Sequence, residues 1–530
     1  MTRFGFTRPT RPRSTTTSIR FIPTEGFTEL PDIEAPPGSI TSGQNVWIRR
    51  GRLEPRWRLE QAADNILSDL PTGAFDYDDV GGARFLVVTS QDTVAFLDNE
   101  SYVSLQYVSG TSNFPPTGGQ NDQYFGTSVY LPRSDLNVGV FTNGVDPLFA
   151  WGGPSDSTGF STLTQGPIAK DVTLFANRVV GFNIRELSSS SRVVQRVQWS
   201  IAGDPEDWTG IGSGFEDLVD MRGQGTRIFS TEEEMVLGST EEIWRGRLIG
   251  GDFVFRFSPL NKEVGIPFAK AAIQTKVGLF WLGSDSNIYH LQGARLDTIG
   301  DDVQRTIRDT ITNEKAAFFG YNDELQQLTF YYSTSPTGQP DRAFTWHRKD
   351  RAKWTPQRFS DPVAQSFQLN IPSSATTWGG LVGNLSAQSQ TYNDLLGAAG
   401  TPDEALLTSN GTTAFFSDSA GSDLGATVLS QAVFGGLFGA DADNDKFSDR
   451  LRIDVRADSA SSLTVSVSGN LGGTYQAEQE FAISVQSATT QSNFHLGVPG
   501  LYHAVKVESD EGRWQVVTVK LDASFLGETT

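Results

Sequence analysis

The chain has 530 residues, with 62 acidic residues against 42 basic ones, a formal charge of −20 and no cysteine. The lack of cysteine excludes a disulfide framework, a cysteine nucleophile and a thiolate metal site. The four histidines, His290, His347, His495 and His503, stand far apart, which argues against a histidine-based zinc site. This length is enough for two or three domains, and the acidic balance argues against a protein that coats nucleic acid with a basic face.

The first 24 residues are the most basic part of the chain. They contain five arginines and no acidic residue: Arg3, Arg8, Arg11, Arg13 and Arg20. Their prolines and a run of Ser and Thr at 14–18 predict an extended arm with no apolar core of a signal peptide. No segment of the chain reaches the roughly 20 apolar residues that span a bilayer, so we expect no stable membrane insertion.

A second basic patch follows the arm. Its arginines are interleaved with Trp47 and Trp57: Arg49, Arg50, Arg52, Arg56 and Arg58. Each basic stretch suits a solvated surface, a contact to an acidic partner protein or a contact to DNA. We take the five arginines of the arm with Arg49, Arg50 and Arg52 as candidates for a partner interface. By contrast, residues 359–445 contain no Lys or Arg.

The central part of the chain, residues 61–426, consists of short β runs broken by Gly, Asn, Asp and Ser. The runs recur as strand pairs roughly 40–60 residues apart, a period typical of propeller blades, and predict about six to eight degenerate blades. A multi-sheet sandwich is the alternative. One helix is predicted over 301–317, where Val303, Ile307 and Ile311 recur at helical spacing and Asp301 or Asp302 is placed to cap it.

The pattern changes in residues 427–530. Apolar and polar residues alternate strictly in several segments, such as Leu451–Arg456 and Leu463–Ser468. This alternation indicates antiparallel strands with one solvated face. The sequence therefore predicts an all-β protein with a basic N-terminal arm and entry segment (1–60), a β-propeller (61–426) and a C-terminal antiparallel β-sandwich (427–530).

Few residues match the spacing of a metal-binding or catalytic motif. Asp441, Asp443 and Asp445 have the spacing that opens a calcium loop, but Lys446 and Arg452 stand where glycine and glutamate are required. They are a weak metal candidate, and an acidic turn is the simpler interpretation. The carboxylates at 232–234 and 301–302 are adjacent in sequence, whereas glycosidases need carboxylates that face each other across a cleft. We predict no catalytic residue, no cofactor and no enzymatic activity.

One segment is more specific than the rest. Residues 196–208 read Arg-Val-Gln-Trp-Ser-Ile-Ala-Gly-Asp-Pro-Glu-Asp-Trp, with Trp199 and Trp208 on either side of the turn Gly203-Asp204-Pro205. This resembles the V-x-W-S-x-x-G-D-P-x-x-W signature of bacteriophage virion proteins. Other segments resemble the same family: 45–57, 228–244, 265–308, 378–396 and 500–522. The family is that of the tail nozzle proteins of short-tailed phages, also called tail tubular protein B or packaged-DNA stabilisation protein.

The resemblance implies a function in the phage tail. It implies a propeller-based structural protein of the virion that forms a ring, typically a hexamer, at the head–tail connector, retains packaged DNA and forms the channel for its ejection. Implied partners are copies of the chain, adaptor or portal-side tail proteins, tail fibres, and double-stranded DNA that passes without specific binding. The charge of −20 suits such a channel, because a cationic wall would bind phosphates.

Two other classes of protein remain open. A carbohydrate-binding or polysaccharide-degrading propeller is suggested by the 11 Trp and 12 Tyr residues, which are suited to sugar platforms. The feature that separates this class from a structural ring protein is a cluster of facing carboxylates in a central pocket. A receptor-binding tail fibre is the third class, although the chain lacks fibrous repeats.

Overall fold

The computed structural model of the chain places most of its residues. It describes residues 16–31, 34–63, 67, 69–79, 84–91, 93–98, 101–108, 116–131, 136–154, 159–251, 253–336, 338–350, 353–370, 402–417, 421–437, 446–457, 461–469, 475–483, 486–510 and 513–525. These form two compact units. Unit 1 combines Met1–Trp57, Phe344–Arg358 and Gly421–Thr530, and unit 2 combines Arg58–Ala343 and Phe359–Ala420.

The chain is an all-β protein with a β-propeller and an antiparallel β-sandwich, as predicted. Unit 1 begins with six short strands: β1 (Thr16–Phe21), β2 (Gly26–Phe27), β3 (Ser39–Ile40), β4 (Ser42–Gln44), β5 (Val46–Arg49) and β6 (Arg52–Pro55). The turn between β5 and β6 is Arg50-Gly51, with φ of 52° and 70°. Positive φ at both central residues is the geometry of the two-residue hairpin turn that follows the twist of the strands.

Unit 2 is the propeller. Its strands before the helix are β7 (Arg58–Ala63), β8 (Pro71–Asp78), β9 (Arg84–Ser90), β10 (Val94–Asp98), β11 (Ser101–Tyr107), β12 (Phe125–Leu131), β13 (Leu136–Thr142), β14 (Phe149–Trp151), β15 (Gly159–Thr162), β16 (Ile168–Phe175), β17 (Arg178–Arg185), β18 (Arg192–Trp199), β19 (Gly214–Asp217), β20 (Gly225–Ser230), β21 (Met235–Ser239), β22 (Ile243–Leu248), β23 (Phe255–Asn261), β24 (Ala272–Thr275), β25 (Gly278–Leu282), β26 (Ile288–Gln292) and β27 (Arg295–Thr298).

The helix α1 (Gln304–Thr310) follows, and then β28 (Phe318–Asn322), β29 (Gln327–Tyr332), β30 (Arg342–His347), β31 (Lys353–Arg358), β32 (Val363–Asn370), β33 (Pro402–Thr408) and β34 (Thr413–Ser417). Along the chain, β30 spans the division between the units, and β31 belongs to unit 1. The helix lies where it was predicted but has only seven residues. Its N-cap is Val303, without a side-chain cap, and Asp301 instead accepts a hydrogen bond from Asn287, so the predicted aspartate cap was wrong.

The propeller is built from antiparallel sheets that share one arrangement. Successive groups of four strands are β8 to β11, β12 to β15, β16 to β19, β20 to β23 and β24 to β27, and β28 and β29 begin the next. A short parallel pairing of β11 with β15 joins the first two groups into one eight-stranded sheet. The last sheet has the order β32-β33-β34-β7, so a strand from the start of unit 2 completes the sheet formed by its end. Leu59 of β7 lies opposite Phe416 of β34. This pairing closes the propeller between strands that are far apart in sequence.

The first strands of the successive sheets surround a common axis. Contacts join β8 to β12, β12 to β16, β16 to β20, β24 to β28, β28 to β32 and β32 back to β8. Gln274 of β24 donates a hydrogen bond to the carbonyl of Ser230 in β20, which links the remaining pair. The described residues thus form a ring of seven first strands. Apolar cores lie between neighbouring sheets, because each small sheet has faces that it buries only against its neighbours.

The sandwich of unit 1 has two sheets. Its C-terminal strands are β35 (Ser430–Leu437), β36 (Lys446–Ala457), β37 (Ser461–Ser468), β38 (Gln476–Ile483), β39 (Gln486–Gly500), β40 (His503–Ser509) and β41 (Trp514–Phe525). One sheet has the order β39-β36-β41-β6-β5, with β1 also on β41, and the other has the order β38-β37-β40-β35-β4. Leu451, Ile453 and Val455 are buried and alternate with more exposed residues, which confirms the predicted period of two.

The last residues of the predicted N-terminal arm form a β-strand, β1. Residues 16–21 pair antiparallel with β41, and Phe21 is buried in the sandwich core against Phe434, with ring centroids 5.3 Å apart. This part of the predicted arm is therefore a strand of the sandwich. Arg3, Arg8, Arg11 and Arg13 lie outside the described residues. In the described part of the chain, no helix is long and apolar enough to cross a bilayer.

Candidate functional site

The axis of the propeller contains a cavity of about 390 Å³. It is lined by residues in or next to each of the seven first strands. One such residue from each strand, in chain order, is Phe75, Phe125, Asp171, Arg227, Lys270, Phe318 and Gln365. Four of the lining side chains are charged in their usual state: Asp76, Asp171, Arg227 and Lys270. Pockets that combine aromatic rings with a few convergent polar groups are the usual sites of small ligands. We call this feature the axial cavity.

A buried ion pair crosses from β16 to β20 at the axial cavity. Nε of Arg227 lies 3.1 Å from Oδ2 of Asp171, and the side chains are 14% and 2% exposed. Asp171 also accepts hydrogen bonds from the backbone N–H groups of Val172 (2.8 Å) and Ile228 (2.7 Å). Burial raises the pKa of the Asp171 carboxyl, while Arg227 and these N–H groups act in the opposite direction. The pair therefore holds two neighbouring blades together and leaves little net charge in the cavity.

Aromatic rings fix the guanidinium of this pair. It lies 3.8 Å from the ring centroid of Phe125 in β12 and 4.7 Å from that of Phe229 in β20. A guanidinium over the face of a ring gains electrostatic attraction that increases where water is excluded. Arg227 thus connects the second, third and fourth sheets from inside the ring.

Lys270 is the second cation of the axial cavity and has no carboxylate partner among the described residues. It stands just before β24, is 8% exposed, and lies over the Phe318 ring with Nζ 5.3 Å from its centroid. Burial lowers the pKa of its ammonium from 10.5 to about 7. A buried ammonium without a counter-ion is costly, because the charge has lost its hydration and gained little in return.

Two amide side chains of the axial cavity have unused hydrogen-bonding capacity. In the described part of the chain, the buried Oε1 atoms of Gln123 and Gln365 accept no hydrogen bond. Buried polar atoms are normally paired with protein or ordered water, so such a group points to a missing partner. The cavity therefore offers an ammonium and two amide oxygens to whatever occupies it.

A second groove, of about 410 Å³, lies between the sheets that begin with β20 and β24. Glu232, Glu233 and Glu234 line it on one side, and all three come from one turn. Glu234 is paired with Arg247 at 2.8 Å. Facing carboxylates of a glycosidase are therefore not formed by this turn. Among the described residues, no group of three or more metal-ligating side chains is placed to hold a metal ion. Asp441, Asp443 and Asp445 lie outside the described residues.

The signature segment joins three sheets of the propeller. Trp199 ends β18 and is buried in a core with Phe182, Met235 and Phe255, between the sheets of β16 and β20. Trp208 is buried in another core with Val140 and Leu148, between the sheets of β12 and β16. The two indoles therefore fill different interfaces on the two sides of the same sheet.

A tight turn sets the distance between these two tryptophans. Gly203 has φ of 74° and donates its N–H to the carbonyl of Asn177 at 2.7 Å. Asp204 accepts the N–H of Glu206 at 3.0 Å, and Nε1 of Trp208 donates to the carbonyl of Pro205 at 2.7 Å. Glycine suits the positive φ, and aspartate and proline favour the turn that follows. The Gly-Asp-Pro sequence thus turns the chain from one inter-sheet core towards the other.

Exposed apolar side chains lie on both sides of Trp199. Ile211 and Phe215 are exposed at the start of β19, where Gly214 pairs with Trp199. Leu248, Ile249 and Phe253 are exposed at the β22–β23 turn, which leads into Phe255, whose ring centroid lies 5.0 Å from that of Trp199. We call these five side chains the signature patch: Ile211, Phe215, Leu248, Ile249 and Phe253. Exposed apolar side chains grouped near one buried residue of an acidic chain suit a protein–protein contact.

The predicted basic patch is partly occupied within unit 1. The Arg49 guanidinium lies 4.7 Å from the Trp57 ring centroid and 3.6 Å from Glu54, and Arg52 donates to Gln515 at 2.8 Å. Arg56 is buried and paired with Asp423. Arg50, at the tip of the β5–β6 hairpin, and Arg20, on β1, are exposed. Of the partner-interface candidates in the described residues, these two are the most accessible.

Comparisons with known proteins give weak structural likenesses. No protein-family model matches the chain, and no curated protein matches it by sequence. An ancestral GH74 enzyme is similar with TM-score 0.40 and 12% identity, over 73% of this chain and 52% of that one. The exo-beta-1,3-galactanase of Phanerochaete chrysosporium with galactose gives TM-score 0.24 and 9% identity, over 88% and 100%.

A third structure, described as "BiXyn10A CBM1 APO", gives TM-score 0.12 and 18% identity, over 17% of this chain and 61% of that one. All three TM-scores are below 0.5, and none of these likenesses indicates a function for this chain.

The sequence interpretation missed the residues of the axial cavity. Asp171, Arg227 and Lys270 are widely spaced in the chain, and no local motif connects them. One signal was present, because Lys270 is the single charge in the apolar run 266–273 of a chain with few lysines. A single charged residue in an apolar run indicates either a buried ion pair or a ligand-binding site.

Proposed function

We propose that this chain is a structural subunit of a bacteriophage tail, related to the nozzle proteins, that assembles with copies of itself into a ring around a passage for DNA. The proposal rests on the resemblance of residues 196–208 to a virion-protein signature. The observation that carries it further is the signature patch beside Trp199, because exposed apolar surface on a chain of charge −20 suits assembly.

The charge of the chain supports the second part of this proposal. DNA that moves through a ring must not be held by its wall, and binding to phosphates depends on Lys and Arg side chains. An acidic chain with a pI near 4.7 provides few such contacts. The exposed Arg20 and Arg50 then serve contacts to an acidic partner protein, such as the adaptor above the ring.

Assembly can be tested with a matched pair of variants. Light scattering after size-exclusion chromatography, with electron microscopy, is expected to show a closed ring for the wild type. Ile211→Asp combined with Phe253→Asp is expected to shift the chain to monomers, because it places charges in the signature patch. Leu187→Asp is the control, since Leu187 is exposed at 50% but lies at the opposite end of β18 from Trp199.

Two further measurements separate this proposal from others. Cryo-electron microscopy of virions is expected to find the chain in the tail, and a gel shift with duplex DNA is expected to show no binding at about 50 mM salt. A chain that stays monomeric with and without its adaptor and is missing from particles would refute the proposal.

A carbohydrate-binding propeller is the second candidate. The specific observation in its favour is the lining of the axial cavity, where Phe75, Phe125 and Phe318 stand beside the amides of Gln123 and Gln365. Pockets with apolar walls and a few amides are suited to ligands that have both apolar faces and hydroxyl groups, such as sugars. A glycan array and a depolymerase assay test it, and blank results in both would remove this candidate.

A further inference from the structure

We propose that the axial cavity is a binding site for a small anion that carries hydroxyl groups, such as an acidic monosaccharide, with its anionic group against the Lys270 ammonium and its hydroxyls against Gln123 and Gln365. This site is separate from the signature patch and does not depend on ring assembly. If the carbohydrate candidate holds, the inference narrows its ligand to an acidic sugar.

The lysine supplies the first argument. The Lys270 side chain lines the cavity and is 8% exposed, and its ammonium lies over the face of Phe318. Arg227, the other cation, is already neutralised by Asp171. An anion in the cavity would therefore meet one uncompensated positive charge, in a place where low polarity makes the attraction strong.

The amides supply the second argument. Oε1 of Gln123, before β12, and Oε1 of Gln365, in β32, are buried acceptors without donors among the described residues. An inorganic anion such as sulfate has no hydrogen to donate to them. A ligand that carries both a negative charge and hydroxyl donors satisfies the lysine and the amides together.

The volume of the cavity agrees with a ligand of this size. At about 390 Å³ it lies at the lower end of the range of roughly 300–1,000 Å³ for small-molecule sites. Its three other charged side chains are Asp76, Asp171 and Arg227. Because Asp171 and Arg227 pair with each other, Lys270 is the cation that an anionic ligand would meet in the cavity.

Isothermal titration calorimetry of the full chain with three probes tests the inference: D-glucuronate, inorganic sulfate and D-glucose. We expect glucuronate to bind most tightly, sulfate at least tenfold more weakly and glucose more weakly still. Lys270→Met is expected to weaken glucuronate binding at least tenfold, and Gln365→Leu severalfold. Lys276→Met is the control and should leave affinity unchanged, because Lys276 is 79% exposed and pairs with Asp323.

The pH dependence gives a second readout. Glucuronate stays ionised at neutral pH, whereas Lys270 loses its proton near pH 7 in the empty site. Affinity is therefore expected to fall about tenfold per pH unit above roughly pH 7, and this slope should vanish in Lys270→Met. Thermal melting first establishes that each variant is folded.

Three results would overturn the proposal. They are no glucuronate binding at about 10 mM, glucuronate binding that Lys270→Met leaves unchanged, and glucose binding as tight as that of glucuronate. Glucose binding that is equally tight would still support the carbohydrate candidate, so the two ideas fail separately. Failure of ring assembly bears on neither of them.

Discussion

Trp199 and Trp208 belong to one signature segment, yet their indoles are buried in two different cores, one on each side of the sheet that β16 begins. The turn at Gly203 separates them, and Trp208 alone uses its indole N–H, in the hydrogen bond to Pro205. The segment therefore stabilises three neighbouring sheets at once, which gives a physical reason for two tryptophans around a Gly-Asp-Pro turn.

This arrangement predicts unequal and independent effects of the two tryptophans. Trp208→Phe should cost about 1 kcal/mol more than Trp199→Phe, because it also removes a hydrogen bond to a buried group. Since the indoles share no core, the double variant should show the sum of the single effects. Urea unfolding of the three variants measures both. A coupling energy above about 0.5 kcal/mol would show that the two cores are not independent.

The closure by β7 predicts that a covalent link there stabilises the propeller. Glu60 lies opposite Phe415 in the antiparallel pair of β7 and β34. Opposite residues of such a pair have Cα atoms about 4.5–5.5 Å apart, which a disulfide can span. In Glu60→Cys with Phe415→Cys, the oxidised form should be about 2–4 kcal/mol more stable than the reduced form of the same variant. The chain has no other cysteine, so no other disulfide can form in this variant. Equal stability of the oxidised and reduced forms would mean that β7 does not close the ring.

The buried ammonium of Lys270 should make the free energy of unfolding depend on pH above pH 7. Burial lowers the pKa of its ammonium to about 7 from 10.5, so between these values the unfolded chain binds more protons than the folded one. Stability should therefore increase as pH rises from about 7 towards 10.5. Lys270→Met removes the cost and should stabilise the chain by on the order of 5 kcal/mol below pH 7, with a gain that shrinks above it. Urea unfolding at pH 6 and pH 9 measures this, with Lys276→Met as control.

Two buried histidines predict sensitivity to acid. Burial lowers the pKa of His347 to about 3 and that of His503 to about 4, from 6.5. His347 is hydrogen-bonded to Thr355 at 2.7 Å and His503 to Ser448 at 2.7 Å. As pH falls below 6.5, these two histidines bind protons in the unfolded chain but stay neutral in the folded chain, so the free energy of unfolding should decrease. The decrease should continue to about pH 4 for His503 and about pH 3 for His347.

A pair of variants isolates this acid effect. His347→Gln should reduce the slope of unfolding free energy against pH between 6 and 4 by up to about 1.4 kcal/mol per pH unit. His495→Gln, at an exposed position of β39, is the matched control. An unchanged slope in His347→Gln would mean that this histidine is protonated in the folded chain.

The sequence alone determined the class of the fold and much of its local structure. The alternation in Leu451–Arg456 and the β runs of the central region predicted sandwich and propeller strands. A strand with one buried face alternates apolar and polar residues, whereas a strand with two buried faces is a short apolar run. The position of the helix followed from Val303 and Ile307, which are both buried. Its short length did not follow from the sequence, because Ile311 already has an extended backbone, with φ of −66° and ψ of 129°, and ends the helix.

Pairings between distant strands were decided only by the tertiary structure. The union of β7 with β34, and of β1 with β41, joins strands that hundreds of residues separate, and no local pattern records such a partner. The axial cavity is of the same kind. Asp171, Arg227 and Lys270 each stand alone in the sequence, and they meet because seven first strands converge on one axis. Local periodicity specifies which face of a strand is buried, whereas the neighbours of that face depend on the closure of the whole ring.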